Sequence, residues 1–222
     1  MMADAKPTET KTSPASDTRA RLIAHGLDAM LRHGYDGVGI GGILTAAGVP
    51  KGSFYYFFAS KEDFCLAVLD AYRAHYAALR EAIFADRDRP ALDRLTAYLT
   101  SLEIAHAAER PLGGCFYGVL AQTASARSDR VRSRLSEVFA DWQTQIAVLL
   151  NEARDRGETS PHLDADEAAA FLIDAYEGML LRAKADGRPL STHFDRLRRM
   201  ALTAFGAGHA THGSIDSSSP TR

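Results

Sequence analysis

Hydrophobic positions recur along most of the chain with the spacing of amphipathic helices. Between residues 18 and 33, for example, the apolar side chains fall on one side of a helical wheel and the charged ones on the other. Alternating apolar runs bounded by turn residues, which are typical of strands, do not occur. The pattern therefore predicts an all-α fold of about nine helices. They are expected near residues 18–33, 39–46, 50–58, 61–85, 90–110, 115–124, 128–156, 164–185 and 189–205.

The ends of the chain differ in composition from this helical part. Residues 1–15 are polar and contain proline, and residues 206–222 are rich in Gly, Ser, Thr and His, so both segments are expected to be disordered tails. Three short helices occupy residues 16–60, which we call the head. The longer helices occupy residues 61–205, which we call the helical domain.

The composition sets limits on location and chemistry. With 46% hydrophobic and 24% charged residues, and no apolar run near the ~20 residues of a membrane span, we expect a cytoplasmic protein without membrane contact. Cys65 and Cys115 are too few for a disulfide framework or a zinc site, so no metal and no other cofactor is expected. The net charge of −2 leaves nucleic-acid binding undecided.

The head has the layout of a helix-turn-helix module, in which the last helix enters the major groove of DNA. Its second and third predicted helices are separated by a tight turn at Gly48. Pro50 follows, and the fixed φ of proline suits the first turn of a helix. This layout indicates DNA binding.

A longer stretch of the sequence makes this interpretation more specific. It contains Gly34-Tyr35, Ile40, Ile43, the run AGVPKGSFYYFF at residues 47–58, and Ser60-Lys61-Glu62. The stretch resembles the DNA-binding signature of the TetR family of one-component repressors, and the resemblance covers the whole head. It implies a homodimer that binds an inverted repeat in double-stranded DNA and leaves it when a small-molecule effector binds the helical domain.

The resemblance also implies which side chains face DNA. Phe54 and Phe58 are expected to be buried, whereas hydroxyl groups near them donate to phosphate oxygens and aromatic faces pack on thymine methyl groups. Lysines at helix starts place positive charge beside free backbone N–H groups, which suits phosphate. The predicted DNA-contacting residues are Gly41, Lys51, Gly52, Ser53, Tyr55, Tyr56, Phe57 and Lys61.

The Gly41-Gly42 pair departs from the family, which usually has a polar side chain early in the second helix. Each glycine destabilises a helix interior by ~1 kcal/mol relative to alanine. The pair therefore predicts either a close approach of the backbone to phosphate or a helix that is frayed until DNA binds.

The eighth predicted helix, near residues 164–185, is apolar on nearly every side between Ala168 and Leu181. Such a helix must be covered all round, either within one subunit or partly by a partner. We expect a homodimer through the last two helices, around Phe171, Leu180 and Leu197.

The family resemblance further implies an effector cavity among the fourth to eighth helices. Aromatic residues with polar tips are typical of ligand pockets, although each of them also suits an ordinary core. Besides Tyr72, the candidate lining residues are Tyr98, His106, Cys115, Phe116, Tyr117, Trp142 and Tyr176.

Cys115 follows Gly113-Gly114 at the expected start of the sixth helix. The helix dipole and the free N–H groups there are expected to lower the pKa of its thiol and make it nucleophilic. The segment Gly114-Cys115-Phe116, followed by Gly118, resembles that of TetR-type repressors responding to electrophiles and α,β-unsaturated compounds such as acrylate. Such an effector is expected, held either covalently or non-covalently. The alternative is that Cys115, like Cys65, is an inert buried residue.

A cysteine-dependent enzyme is the rival interpretation. It would use Cys115 as the nucleophile and His106 or His162 as the base. Phosphate-binding glycine loops, paired metal-ligating histidines and a nucleophile elbow are all missing from the sequence. We therefore expect a regulator that is not an enzyme.

Overall fold

A computed structural model describes residues 14–108 and 114–206. Within these ranges the chain is all-α, as predicted, apart from one isolated bridge between Thr159 and Gly206. Its helices are α1 (Pro14–His33), α2 (Ile40–Ala47), a 3₁₀ turn (Lys51–Ser53), α3 (Phe54–Phe57), α4 (Lys61–Phe84), α5 (Ala91–Ala108), α6 (Phe116–Thr123), α7 (Asp129–Asp155), α8 (Ala165–Asp186) and α9 (Leu190–Phe205).

Two predicted boundaries are wrong. The first helix begins at Pro14, four residues before the predicted start, and so includes part of the expected tail. The third predicted helix is a 3₁₀ turn followed by one α-helical turn, and Phe58 is already extended. The rest of the predicted tails, residues 1–13 and 207–222, and the glycine at 113 lie outside the described residues.

The turn between α2 and α3 depends on Gly48. Its φ is +64°, a left-handed conformation that glycine adopts without steric strain. The N–H of Gly48 donates to the carbonyl of Thr45 at 3.2 Å, and the N–H of Val49 donates to that of Leu44 at 2.9 Å. These bonds close the end of α2 and fix the angle at which the chain enters α3.

The long helix α4 belongs to both parts of the molecule. Ser60 caps it by accepting a hydrogen bond from the Asp63 N–H at 3.0 Å, which agrees with the capping-box spacing of these two residues in the sequence. Phe64, one turn in, packs its ring against Phe54 and Phe58 of the head, with centroid separations of 5.5 and 4.8 Å. Tyr72, further along the same helix, is buried in the helical domain.

The helical domain packs α5 to α9 around the rest of α4. Arg94, which is fully buried, forms an ion pair with Glu152 and donates to the Phe84 carbonyl at 2.6 Å. These contacts tie α5 to α7 and to the end of α4. In the described part of the chain, no helix is long and apolar enough to cross a bilayer.

The head rests on the last turn of α6. The N–H of Tyr35 donates to the Thr123 hydroxyl at 3.1 Å. Gly34, with a φ of +68°, lies so close to the Thr123 side chain that a Cβ at this position would collide with it. The end of α6 is therefore packed directly against the turn that follows α1.

A second contact joins the start of α4 to the start of α7. The Ser128 hydroxyl donates to Glu62 at 2.5 Å, and Arg130 binds Glu62 at 2.7 Å and Asp63 at 2.8 Å. Hydrogen bonds from Ser128 and then Arg130 lower the pKa of Glu62, and those from Ser60 and Arg130 lower the pKa of Asp63. Both carboxylates therefore remain charged at neutral pH and hold the two helices together.

Candidate DNA-binding surface and effector cavity

The aromatic residues around α3 divide into a buried pair and an exposed pair. Phe54 and Phe58 are 0% and 4% exposed, whereas Tyr55 and Tyr56 are 69% and 78% exposed. This confirms the predicted burial of the two phenylalanines. Two large rings that project into solvent from a helix-turn-helix head form a surface ready to contact a partner.

The other predicted DNA-contacting residues surround this pair in sequence. Lys51 and Gly52 are exposed, and Ser53 and Phe57 are half-buried. The ring of Phe57 lies edge-on to that of Tyr56, with centroids 4.9 Å apart.

Lys61, at the start of α4, places its ammonium 4.6 Å from the centroid of the Tyr35 ring. Gly41 and Gly42 are exposed and helical, and a Cβ at either position would have nothing within 4 Å. Packing within the subunit therefore does not require glycine here. The open space beside α2 would admit a phosphate close to the backbone.

A small cavity lies among the helices of the helical domain. Its free volume is about 10 Å³, roughly the room that one water molecule needs, so a larger ligand must move side chains to enter. The structure brings together five of the seven predicted effector residues here, together with Tyr72. The lining residues are Tyr72, Tyr76, Arg80, Tyr98, Leu102, Cys115, Tyr117, Trp142 and Tyr176.

The other two predicted effector residues do not line this cavity. Phe116 is fully buried, and its ring packs on that of Tyr72 at a centroid distance of 5.5 Å. His106 Nε2 lies 2.5 Å from the hydroxyl of Tyr176, which itself reaches the cavity. Burial lowers the pKa of His106 to about 4, so the imidazole is neutral. His106 therefore fixes the position of the Tyr176 hydroxyl without lining the cavity itself.

The expectation of a low thiol pKa at Cys115 is wrong. The residue precedes α6 as predicted, and the backbone N–H groups of Tyr117 and Gly118 act to lower its pKa. Burial, followed by the negative charge of Glu177, outweighs them and raises the pKa of Cys115 far above its usual value. Cys65 is also buried, as expected, and its pKa is raised to about 12.

The described hydrogen bonds of Cys115 do not include the histidine base that the enzyme interpretation requires. Its thiol contacts the Tyr72 hydroxyl at 4.0 Å and the Glu177 side chain, and none of its described hydrogen bonds reaches a histidine. His162 is exposed in the segment between α7 and α8. Among the described residues, no group of three potential ligands is arranged to hold a metal ion.

Two chemically important groups, Arg80 and Glu177, are not among the predicted site residues. Arg80 lies in the cavity wall and Glu177 lies against Cys115. The spacing of Tyr72, Tyr76 and Arg80 at i, i+4 and i+8 places all three on one face of α4, and this signal was available in the sequence. Glu177 is preceded by the predicted Tyr176, but no pattern in the sequence indicated that it packs on Gly118 of α6.

An apolar groove runs between α8 and α9 on the surface. Phe171 and Met200 line it, and each is 60% exposed. Leu197 also lines the groove but is only 7% exposed, and Leu180 is 4% exposed and faces the interior. Leu180 therefore packs within its own subunit, contrary to its predicted place in a dimer contact, whereas Phe171 is open to a partner.

Comparison with known proteins places these features in a family. Residues 22–68 match the family described as bacterial regulatory proteins of the tetR family, and residues 91–201 match the C-terminal domain described as tetracyclin repressor-like. The two matches include both the head helices and most of the helical domain.

Individual relatives agree with these matches. The chain is 38% identical to the transcriptional regulator AcuR of Cereibacter sphaeroides over 179 residues, covering 81% of this chain and 82% of AcuR. It is 30% identical to the HTH-type transcriptional repressor NemR of Escherichia coli, covering 76% and 84%. The crystal structure of the regulatory protein TetR from Rhodobacter sphaeroides is 37% identical, with a TM-score of 0.76, covering 84% and 98%. The chain belongs to the TetR family of DNA-binding transcriptional regulators.

Proposed function

We propose that this protein is a cytoplasmic repressor that binds an inverted-repeat operator as a homodimer and leaves it when a small molecule occupies the tyrosine-lined cavity. The observation that carries the DNA-binding part is the exposure of Tyr55 and Tyr56 on a helix-turn-helix head. A repressing role is supported by the relative NemR, which is named a transcriptional repressor.

The homodimer in this proposal forms through α8 and α9. Large apolar side chains rarely remain 60% exposed in a contiguous groove unless a partner covers them. In a two-fold dimer the same groove on both subunits buries Phe171 and Met200 together, and the two heads point the same way. We expect the two α3 helices to lie about one turn of DNA apart, ~34–36 Å.

The proposed effector is a small electrophilic or α,β-unsaturated compound such as acrylate, bound without a covalent bond. Support for this class comes from the resemblance of the segment from Gly114 to Gly118 to electrophile-responsive repressors. Support for non-covalent binding comes from Cys115, whose buried thiol has a raised pKa and therefore contains little thiolate at neutral pH. Tyrosine hydroxyls and the indole of Trp142 surround the ligand instead.

The helix α6 connects the cavity to the head. Cys115 and Tyr117 at its start line the cavity, and Thr123 at its end bonds to Tyr35. Because the side chains leave only about 10 Å³ free, an effector must displace the cavity walls. A shift of α6 against α4 would then move the contact between Thr123 and the head. Release of DNA follows only if the effector binds the shifted state more tightly than the DNA-bound state.

The Cys115→Ser variant tests the mode of effector binding. We expect it to bind the operator as the wild type does and to be released by acrylate at a concentration within about threefold of the wild-type value. The physical reason is that serine keeps a small polar group in the wall, and the buried thiol is not the reacting group. Operator release is measured by fluorescence anisotropy of labelled DNA, and the adduct by mass spectrometry of intact protein.

Cys65→Ser is the matched control, since Cys65 is buried outside the cavity. A single adduct on Cys115 in the wild type, together with loss of release in Cys115→Ser but not in Cys65→Ser, would contradict non-covalent sensing. If acrylate and related unsaturated compounds leave the wild-type complex with DNA unchanged, the proposed effector class is wrong.

A further inference from the structure

One wall of the cavity contains a buried positive charge. Arg80, on α4, is 5% exposed, and its Nε donates to the side-chain oxygen of Gln145 at 2.7 Å. Within residues 14–108 and 114–206, no carboxylate lies within 4.0 Å of the guanidinium. The cation is therefore held by a neutral amide in a place where charge is strongly destabilised unless it is paired.

Arg94, which is also buried in this domain, has a carboxylate partner. Arg94 forms an ion pair with Glu152 and also donates to a backbone carbonyl. The fold thus supplies a carboxylate to the arginine that holds helices together and none to the arginine that faces the cavity. A guanidinium group is a permanent cation in proteins, so a buried one needs a partner.

Three other polar groups of the cavity wall, Tyr98, Tyr117 and Cys115, carry no negative charge that could pair with Arg80. Burial raises the pKa of Tyr98 to about 12, although the nearby Arg80 partly opposes the shift. Burial likewise raises the pKa values of Tyr117 and Cys115 above their usual ranges. All three groups are neutral at physiological pH. The carboxyl of Glu177 contacts Cys115 and is not within ion-pair distance of Arg80.

The pair of Arg80 and Gln145 also stands between the cavity and the surface. Gln145 lines an open groove between α4 and α7 as well as bonding to Arg80. The guanidinium carbon lies 6.0 Å from the centroid of the Tyr98 ring, inside the cavity. Gln145 therefore connects Arg80 with this groove, whose other charged lining residues are Glu81, Arg87 and Glu152.

We infer that Arg80 is the anchor for the carboxylate group of the effector. A guanidinium offers two parallel N–H donors that match the two oxygens of a carboxylate. The hydroxyl groups of Tyr98 and Tyr117 supply further hydrogen bonds, and Trp142 and Leu102 contact the apolar part of the ligand. The inference rests on the proposed function and narrows its ligand to small organic acids.

Isothermal titration calorimetry without DNA tests this assignment. The probes are two acid and amide pairs, acrylate with acrylamide and trans-cinnamate with cinnamamide, which differ in charge but hardly in size. For wild-type protein we expect at least one acid to bind ten times more tightly than its amide. Arg80→Gln removes this preference by weakening the acid and leaving the amide within about threefold.

Two further variants keep the test interpretable. Gln145→Glu gives Arg80 an internal carboxylate and is expected to weaken the acids in the same way without removing the arginine. Arg73→Gln is the matched control, because Arg73 lies two turns earlier on α4 and pairs with Asp141 outside the cavity. It should retain the preference for acids. Circular dichroism and operator affinity of every variant report whether the fold is intact.

Three results would overturn the inference: equal binding of acid and amide by the wild type, an acid preference that persists in Arg80→Gln, or no binding of any of the four compounds. None of these three results depends on a measurement of DNA binding. Failure of the wild type to bind operator DNA in a separate anisotropy titration would instead contradict the proposed function, so the two failures are distinguishable.

Discussion

Replacing Tyr56 with alanine is expected to weaken operator binding roughly thirtyfold to ten-thousandfold while leaving the fold unchanged. The side chain is 78% exposed in the free protein, so its removal creates no cavity. A lost base or methyl contact is worth ~1–3 kcal/mol, and a symmetric dimer loses it twice. The dissociation constant is measured by fluorescence anisotropy, and circular dichroism reports the helical content.

Tyr56→Phe separates the two parts of this contact. If the hydroxyl binds a phosphate, the phenylalanine variant loses about as much affinity as the alanine variant; if the ring packs on a thymine methyl group, it retains most of it. Val148→Ala is the control, because Val148 is 62% exposed on α7 and lies far along the chain from the head. Unchanged operator affinity in Tyr56→Ala would show that α3 does not contact DNA in the proposed way.

The second large effect is expected at the apolar groove between α8 and α9. Phe171→Glu places one carboxylate from each subunit in a contact that would otherwise be dry, and burying unpaired charge is destabilising by several kcal/mol per ion. We expect the dimer to dissociate at micromolar concentration and the variant to elute with a mass near 24.1 kDa in light scattering. Operator affinity should fall by at least a hundredfold, since one head contacts only half of the site.

Val148→Glu is the matched control for this variant. Val148 is as exposed as Phe171 but faces the groove between α4 and α7, so a charge there should leave the dimer intact. Leu180→Glu is unsuitable, because Leu180 is buried in its own subunit and the variant would unfold. A wild-type protein that is a monomer at micromolar concentration, or a Phe171→Glu variant that remains a dimer, would contradict this interface.

The sequence predicted the fold and the exposed part of the head because both depend on local patterns. Helical periodicity and helix caps act within a few positions. The spacing of Ser60 and Asp63, and of Asp164 and Glu167, is typical of helix starts, and the structure has both caps. A short helix cannot bury four successive aromatic rings, so the exposure of Tyr55 and Tyr56 also follows from local geometry, although the predicted helix was longer than the observed one.

The features that the sequence did not predict depend on packing between distant segments. Backbone N–H groups at the start of α6 do act to lower the pKa of Cys115, as expected from its position. The thiol is nevertheless buried against Tyr72 and Glu177, and burial raises its pKa by more. Leu180 and Phe171 are equally apolar in sequence, yet only contacts with other helices decide which one is covered. The spacing of Arg80 from Tyr72 and Tyr76 indicates a shared face of α4, but only the assembled domain shows that this face forms the cavity wall.

In the proposed dimer, two copies of the head bind two symmetric half-sites of DNA. Selection of bound sequences from a pool of random double-stranded DNA tests this arrangement without knowledge of the natural operator. We expect enrichment of an inverted repeat whose half-sites lie about one helical turn apart, and loss of this enrichment for Tyr56→Ala. A pool that shows no enrichment, or one that yields a single asymmetric site, would contradict it.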